Sequence, residues 1–497
     1  MKTTIRNVIC IIAFTTLPAI CQFAIVHAQE YVKADFVVSD STPDNYTSSQ
    51  LSVSNTGDMV VVWETVGKGG IWFKTISSFG TILSDQKPIK VPFYYGGTRV
   101  AHADSGNFMI MFGGYVGYWE VYGQAYDPEG NEIGDTLTVG LNTSEMINMH
   151  YSSLSADSNN QFRAFLPGSD SLIVETISGK GEFVGNTIVL KHNMINVSNL
   201  TGIMTRSGEY IMVWRVGGSC GDIHGLRYNA EGVPIGETFQ ISQKEENFFI
   251  LDMSLACDTT GNFAVVWKVA KDSTTNMYSQ LFNAAGVSIG TNTLITGGYF
   301  NIFDKISVDM DLDGKFVIAW RDDRSNDTSF IYIQQMDNKG EKVGDNYRAT
   351  SINNNFVPES LSWPVQSTPD VHILRDTIYL AWVNYNDNIF YRSKIYANIQ
   401  KWMPDVTGLV HRINKHVETT IYPNLSAGIF SLIMDHEYSG RLELEVFNAT
   451  GALVKREIRS WSGPEATIDL SEVPQGLYYL NIKGDSFITT RPLIIIK

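Results

Sequence analysis

Seven times between Gly57 and Trp382 the chain repeats one pattern: a turn residue, a short apolar run and a large closing side chain. The clearest copies are "GDMVVVW" ending at Trp63, "GEYIMVW" at Trp214, "GNFAVVW" at Trp267 and "GKFVIAW" at Trp320. "GNFMIMF" at Phe112, "NQFRAFL" at Leu166 and "DTIYLAW" at Trp382 are weaker copies. The units open at Gly57, Gly106, Asn160, Gly208, Gly261, Gly314 and Asp376, at intervals of 48 to 62 residues. A period of this length marks an array whose units bury their apolar faces only against one another.

A second element follows the first six units. It reads "YDPEGNEIG" to Gly134, "YNAEGVPIG" to Gly236, "FNAAGVSIG" to Gly290 and "MDNKGEKVG" to Gly344, with looser versions ending at Gly185 and Ser84. Asn or Asp ahead of Gly at a fixed offset is hairpin chemistry, because these residues tolerate positive φ. The runs between turns are short and rich in β-branched and aromatic residues, and none has a helical period. Each unit therefore holds four strands, and seven such units predict an all-β chain folded as a seven-bladed β-propeller. The seventh unit has no glycine turn and no fourth strand after "IFYRSKIYANIQ", whereas a spare strand, "ADFVVSD", precedes the first. That N-terminal strand is expected to complete the last blade and close the ring.

The copy around Trp320, "WRDDR…IYIQQMDNKGEKVG", resembles a broad group of secreted bacterial propellers with W-x-D-x-R, Y/F-x-Q and G-x-x-x-G elements. The resemblance spans residues 30–400 and implies a fold without implying an activity. It turns the crowded charges Arg321, Asp322, Asp323 and Arg324 into parts of a structural repeat, with Asp323 and Arg324 expected to brace a loop.

The N-terminus reads as a secretory signal over residues 1–28: Lys2 and Arg6, the apolar run "VICIIAFTTLPAI", then "VHA" before Gln29. Ile20 directly before Cys21 argues against a lipoprotein anchor. Cleavage takes Lys plus Arg from 37 to 35 against 52 acids, a formal charge of −17, which disfavours nucleic acid as a partner. No later segment is apolar enough to span a bilayer. Of the two remaining cysteines, Cys220 and Cys257, neither forms a CxxC pair. The strand assignment places them on opposite faces as free thiols.

After a linker over residues 401–419 the repeats stop. "IYPNLSAGIFSLIM", "LELEVFNATGALVKREI", "ATIDLSEVPQGLYYLNI" and "RPLIIIK" follow, a pattern that predicts a small Ig-like β-sandwich over residues 420–497. Tyr422, Pro423, Asn424, Gly428, Asn448, Gly451, Asp469, Leu470, Ser471, Gly476, Leu477, Tyr478, Tyr479 and the terminal Lys497 resemble the C-terminal sorting domain of type IX secretion substrates. Leu425 stands where that family usually has proline. The resemblance implies recognition by the type IX machinery and passage to the outer-membrane surface of a Gram-negative bacterium, or release from it.

In the strand model, the connections between blades and the loops joining strands two and three share one face. They are aromatic, with Tyr94, Tyr95, Tyr118, Trp119, Tyr299, Phe300 and Trp363 as candidate ligand-binding residues. Aromatic rings beside polar groups suit stacking on sugars or capture of a peptide, so binding of a glycan or a protein is the favoured reading. A structural or adhesive role without a small-molecule site is a further alternative.

The alternative with chemistry is a glycan-degrading enzyme, most simply a polysaccharide lyase, which needs a cation near a uronate carboxylate and a proton-transfer group. His150, Tyr151, His192, Arg215 and His224 are its candidates. "DMDLDG" places Asp309, Asp311 and Asp313 at calcium-loop spacing, but Trp320 stands where a later bidentate acid belongs, so a tight hairpin is expected and no metal. No sialidase Asp-box, GxSxG or HExxH is present, and no cofactor is expected.

Overall fold

The computed structural model describes residues 31–40, 46–65, 70–89, 94–115, 119–143, 152–168, 171–191, 197–217, 221–242, 248–271, 274–298, 305–322, 330–350, 366–385, 393–402, 419–423, 425–434, 439–448, 453–462, 465–483 and 488–497. Among them there is no helix. Residues 31–401 form seven four-stranded antiparallel sheets. Sheet one runs in spatial order Tyr46–Val53, Met59–Thr65, Gly70–Ile76 and Lys87–Ile89, and the next five sheets repeat that order. Their first strands are Tyr94–His102, Ser153–Ala156, Val197–Met204, Phe248–Cys257 and Ser307–Met310.

Sheet seven is built differently. Gln366–Leu374, Thr377–Tyr385 and Ser393–Lys401 are joined by Tyr31–Val37, which pairs antiparallel with Ser393–Lys401 from Tyr31 opposite Gln400 to Val37 opposite Tyr396. The N-terminal strand thus supplies the missing fourth strand, and the segment involved begins three residues earlier than the sequence pattern suggested.

The second strand of each sheet explains the repeat. Met59–Thr65 is buried at every residue, as is Phe316–Asp322, because both sheet faces are covered by neighbours. Continuous burial produces a continuous apolar run instead of alternation. Each closing tryptophan packs toward the preceding sheet. Trp214 meets Phe165, Leu172 and Val174 of sheet three, Trp267 meets Ile211 and Val213 of sheet four, and Trp382 meets Val317, Ala319 and Ile331 of sheet six. Trp63 lies with Tyr379, Ala381 and Val383 of sheet seven, so the core runs on from the last sheet into the first. First strands of neighbouring sheets also touch all the way round, the seventh against the first included. The result is a closed, propeller-like ring about a common axis.

The turns justify their residues. Gly57 sits at φ 91°, and a Cβ there would lie 2.7 Å from the Tyr379 hydroxyl, so the position is closed to other residues on both counts. In the weaker third unit Asn160 takes the same role at φ 58°, a conformation asparagine tolerates. Asp311 Oδ1 accepts the backbone N–H groups of Asp313 and Lys315, both at 2.9 Å, so "DMDLDG" closes as an Asx turn.

Residues 419–497 form a three-stranded and a five-stranded sheet. Their core contains Phe430, Leu432, Leu442, Leu444, Leu480, Ile482 and Leu493. Residues 1–28, most of the linker, and Asp323 and Arg324 lie outside the described residues.

Candidate functional site

A first strand is the innermost strand of its sheet, and its outward backbone groups have no partner within that sheet. Side chains from adjacent sheets satisfy them. Leu51 N donates to Asp370 Oδ2 at 2.8 Å, Ile306 N to Asp252 Oδ2 at 2.8 Å and Ile373 N to Asp309 Oδ2 at 2.8 Å. Ser307 and Ser52 accept in the same way from Val371 N at 3.1 Å and His102 N at 3.0 Å. Acidic and hydroxyl side chains at the axis are therefore staples between sheets.

Toward the end of the axis that receives the between-sheet connections, the staples form part of a charged cluster: Glu64, Arg99, Asp252, Lys305 and Asp370, from sheets one, two, five, six and seven. Most members are held. Glu64 Oε1 accepts from Thr98 Oγ1 at 3.2 Å, and Asp370 Oδ1 accepts from Ser307 Oγ at 2.7 Å. Arg99 donates through Nε to Ser152 O at 2.7 Å and through Nη1 to Thr98 O at 2.6 Å. Lys305 differs. It feels the charges of Asp370, Asp252 and Glu64 but makes no ion pair or side-chain hydrogen bond among the described residues. Burial, reinforced by Arg99, pushes its ammonium down to about 8 against the pull of the three carboxylates. Lys305, Arg99 and Asp370 all stay partly exposed.

A second polar group lies nearer the hairpin end of the axis. His372 Nδ1 donates to Asp309 Oδ2 at 3.0 Å, and His102 Nδ1 lies 3.1 Å from Ser52 Oγ. Burial, and then the charge of His372, lowers His102 to about 3, so its ring is neutral at ordinary pH. Burial raises the Asp309 carboxyl, opposed by His372 and by two backbone hydrogen bonds.

The structure places the sequence candidates as follows. Arg215 donates to Ser198 Oγ at 3.0 Å and Ile250 O at 2.6 Å, bracing sheet four against sheet five. His224 pairs across strands with Trp214, and Arg215 with Ile223, so alternation puts Arg215 and His224 on opposite faces of one sheet. Burial lowers His224. Asp309 accepts from Ile373 N and Asp311 from the backbone of its own turn, and no group of three potential metal ligands occurs among the described residues. His150, Tyr151, His192, Tyr118, Tyr299, Phe300 and Trp363 lie outside the described residues. Tyr94, Tyr95 and Trp119 open strands of sheet two, but their side chains also lie outside what is described. Phe249, from another aromatic connection, is 45% exposed. Cys257 is a free thiol raised to about 12 by burial, and Cys220 lies outside the described residues. Trp320, the opening of the charged repeat, donates its indole N–H to the buried Asp322 at 3.0 Å, so the first aspartate of that run serves the core.

Sequence reading missed Lys305, Arg99, Asp252 and Asp370. The available signal was a charge on or just ahead of a first strand where most other units carry uncharged residues.

Comparison with known proteins addresses the C-terminal region first. Residues 420–497 match the secretion system C-terminal sorting domain. The sorting domain indicates a protein that is secreted or attached to the cell surface through the type IX system, and it implies interaction with that machinery. No curated protein sequence matches the chain. Among solved structures, a protein of unknown function from Dyadobacter fermentans is 9% identical, covering 76% of this chain and 100% of its own, with a TM-score of 0.47. The α-L-arabinofuranosidase Arb93A from Fusarium graminearum is 6% identical, with 76% and 99% covered and a TM-score of 0.42. The β-propeller domain of the Trilobed protease from Pyrococcus furiosus is 9% identical, with 73% and 99% covered and a TM-score of 0.42. Likeness of this degree carries no functional argument.

Proposed function

We propose that the chain is a seven-bladed β-propeller over residues 29–400 that binds a polar ligand, a glycan or a protein, on its connection face. A signal peptide over residues 1–28 directs export, and residues 401–419 link the ring to an Ig-like sorting sandwich. That sandwich delivers the protein to the outer-membrane surface of a Gram-negative bacterium. The observation that carries the binding reading is the axial cluster, in which five sheets contribute charged side chains to one end of the ring. Fixed carboxylates accept hydrogen bonds from hydroxyl groups, and Arg99 and Lys305 can donate them. Tyr94, Tyr95, Tyr118, Trp119, Tyr299, Phe300 and Trp363, which the sequence pattern assigns to the same face, would add stacking surface. This combination suits a hydroxyl-rich ligand better than an apolar one.

A glycan array probed with the mature protein and its Lys305→Met variant tests the reading. Retention of a defined glycan set that the variant weakens at least tenfold is the expected result. Retention that the variant leaves unchanged would sink the axial cluster as the site, and no retained glycan would sink the glycan form of the reading and leave a protein ligand.

A further inference from the structure

The five-stranded sheet of the C-terminal region turns one face to the core and the other to solvent. In it Ser439–Asn448 lies between Leu453–Ser462 and Gly476–Lys483, and Ile488–Ile495 follows Gly476–Lys483. Val446, Tyr478, Leu480 and Leu493 point inward, so alternation turns their neighbours outward. On that outer face Phe447 stands opposite Leu453 on one flank and Tyr479 on the other, and Leu477 stands opposite Ile494. The two rows adjoin through Leu477 and Tyr479, making one apolar stripe across four strands. Leu453, Leu477, Tyr479 and Ile494 are each between 41% and 52% exposed. A solvated sheet face ordinarily carries polar residues at such positions. The next row does: Arg456 opposes Glu445, which opposes Asn481, and Arg456 pairs with Glu443 and, at 3.6 Å, with Glu445. On the three-stranded sheet the exposed Ile429 and Ile433 are interrupted, with Asp469 and Glu465 opposite them.

We propose that this stripe is the surface through which the sorting domain docks on an apolar protein surface of the type IX machinery. The inference rests on the export reading above and names the face that export uses. Contiguous exposed apolar patches of this kind mark interaction sites. The stripe lies wholly within residues 420–497, the part of the chain that matches a secretion sorting domain. A second copy is the competing occupant, but each chain carries a formal charge of −15, which opposes the pairing of like chains. Strand addition at the sheet edge is also opposed. Lys455 Nζ donates to Asp469 O at 2.6 Å and Arg459 Nη1 to Thr467 O at 3.0 Å, tying Leu453–Ser462 to Glu465–Asp469 of the other sheet. The partner therefore meets the face, side chain against side chain, with Phe447 and Tyr479 as aromatic anchors. The row of paired charges at Arg456, Glu443 and Glu445 gives the stripe a polar rim.

The test expresses the full-length chain carrying Leu477→Thr and Tyr479→Thr together in a bacterium that has a type IX system. Threonine suits a strand while removing the apolar surface, so the domain should still fold. Urea unfolding of the purified protein checks this, and Tyr479→Thr alone replaces the pair if the pair unfolds. Ile429→Thr with Ile433→Thr, on the other sheet, is the control. The stripe variant should accumulate in the periplasm, with surface and released protein down at least about tenfold, as expected for loss of a central anchor. The control should be exported like wild type. Wild-type export of the folded stripe variant, or an equal loss from the control, overturns the proposal. A wild-type dimer in gel filtration that the stripe variant dissolves assigns the face to a second copy and overturns it too. Wild type that itself stays in the periplasm removes the export reading, whereas export of both wild type and stripe variant removes only the stripe.

Discussion

Replacing Lys305 with methionine should make the folded protein more stable at neutral pH. The ammonium falls from 10.5 to about 8 in the fold, so the ring holds the charged form less well than water does, even with three carboxylates nearby. Each unit is worth roughly 1.4 kcal/mol, which sets a ceiling of about 3 kcal/mol on the gain. Partial exposure of the side chain screens this, and a gain of about 1–2 kcal/mol is expected. Methionine keeps the length of the stem, so the packing change is small. The sign follows from proton linkage. Between pH 8 and 10.5 the unfolded chain binds the proton and the folded chain does not, so wild-type stability rises with pH across that window. The difference between variant and wild type is therefore full below pH 8 and gone above 10.5. Urea unfolding followed by tryptophan fluorescence at pH 7 and at pH 10.5 or above measures it. A variant less stable than wild type at pH 7, or a gap unchanged at high pH, would refute the reasoning.

Truncating Trp214, fully buried against sheet three, to alanine should cost about 3–5 kcal/mol and lower the urea midpoint. His102, held near 3 against 6.5 unfolded, makes the fold lose stability as pH drops from 6.5 toward 3, because only the unfolded chain takes up that proton. His102→Asn should flatten this part of the acid-unfolding curve, and an unchanged slope would contradict the assignment. Removing residues 29–37 exposes the edge of Ser393–Lys401 and should cause concentration-dependent association in light scattering, which addition of the missing strand as a peptide reduces. Gly57→Ala should destabilise by more than an ordinary surface change, since both its φ and its contact with Tyr379 oppose a Cβ.

The architecture was legible because it is repetitive. Trp63, Trp214, Trp267, Trp320 and Trp382 recur since each fills the same seam between sheets, and a seam repeated around a ring writes itself periodically into the chain. The strand completing sheet seven was legible by subtraction, one unit short at one end and one strand spare at the other. The axial cluster left no such trace. Glu64, Arg99, Asp252, Lys305 and Asp370 span more than 300 positions of sequence, and only closure of the ring brings them together. The sequence instead drew attention to Arg215 and His224, neighbours in number whose strand register sends them to opposite faces. It also drew attention to the run at Arg321, whose Asp322 proves to be a buried partner of Trp320.

The way sheet seven is completed also bears on mechanical load. Ser393–Lys401 is the strand from which the linker and sorting domain depart, and it lies between Thr377–Tyr385 on one side and Tyr31–Val37 on the other. Any pull arriving through residue 402 therefore acts on an interior strand with hydrogen bonds along both flanks. Without the N-terminal strand the same pull would peel away an edge, one bond pair at a time. The clasp that shuts the ring also reinforces the point at which the ring is tethered.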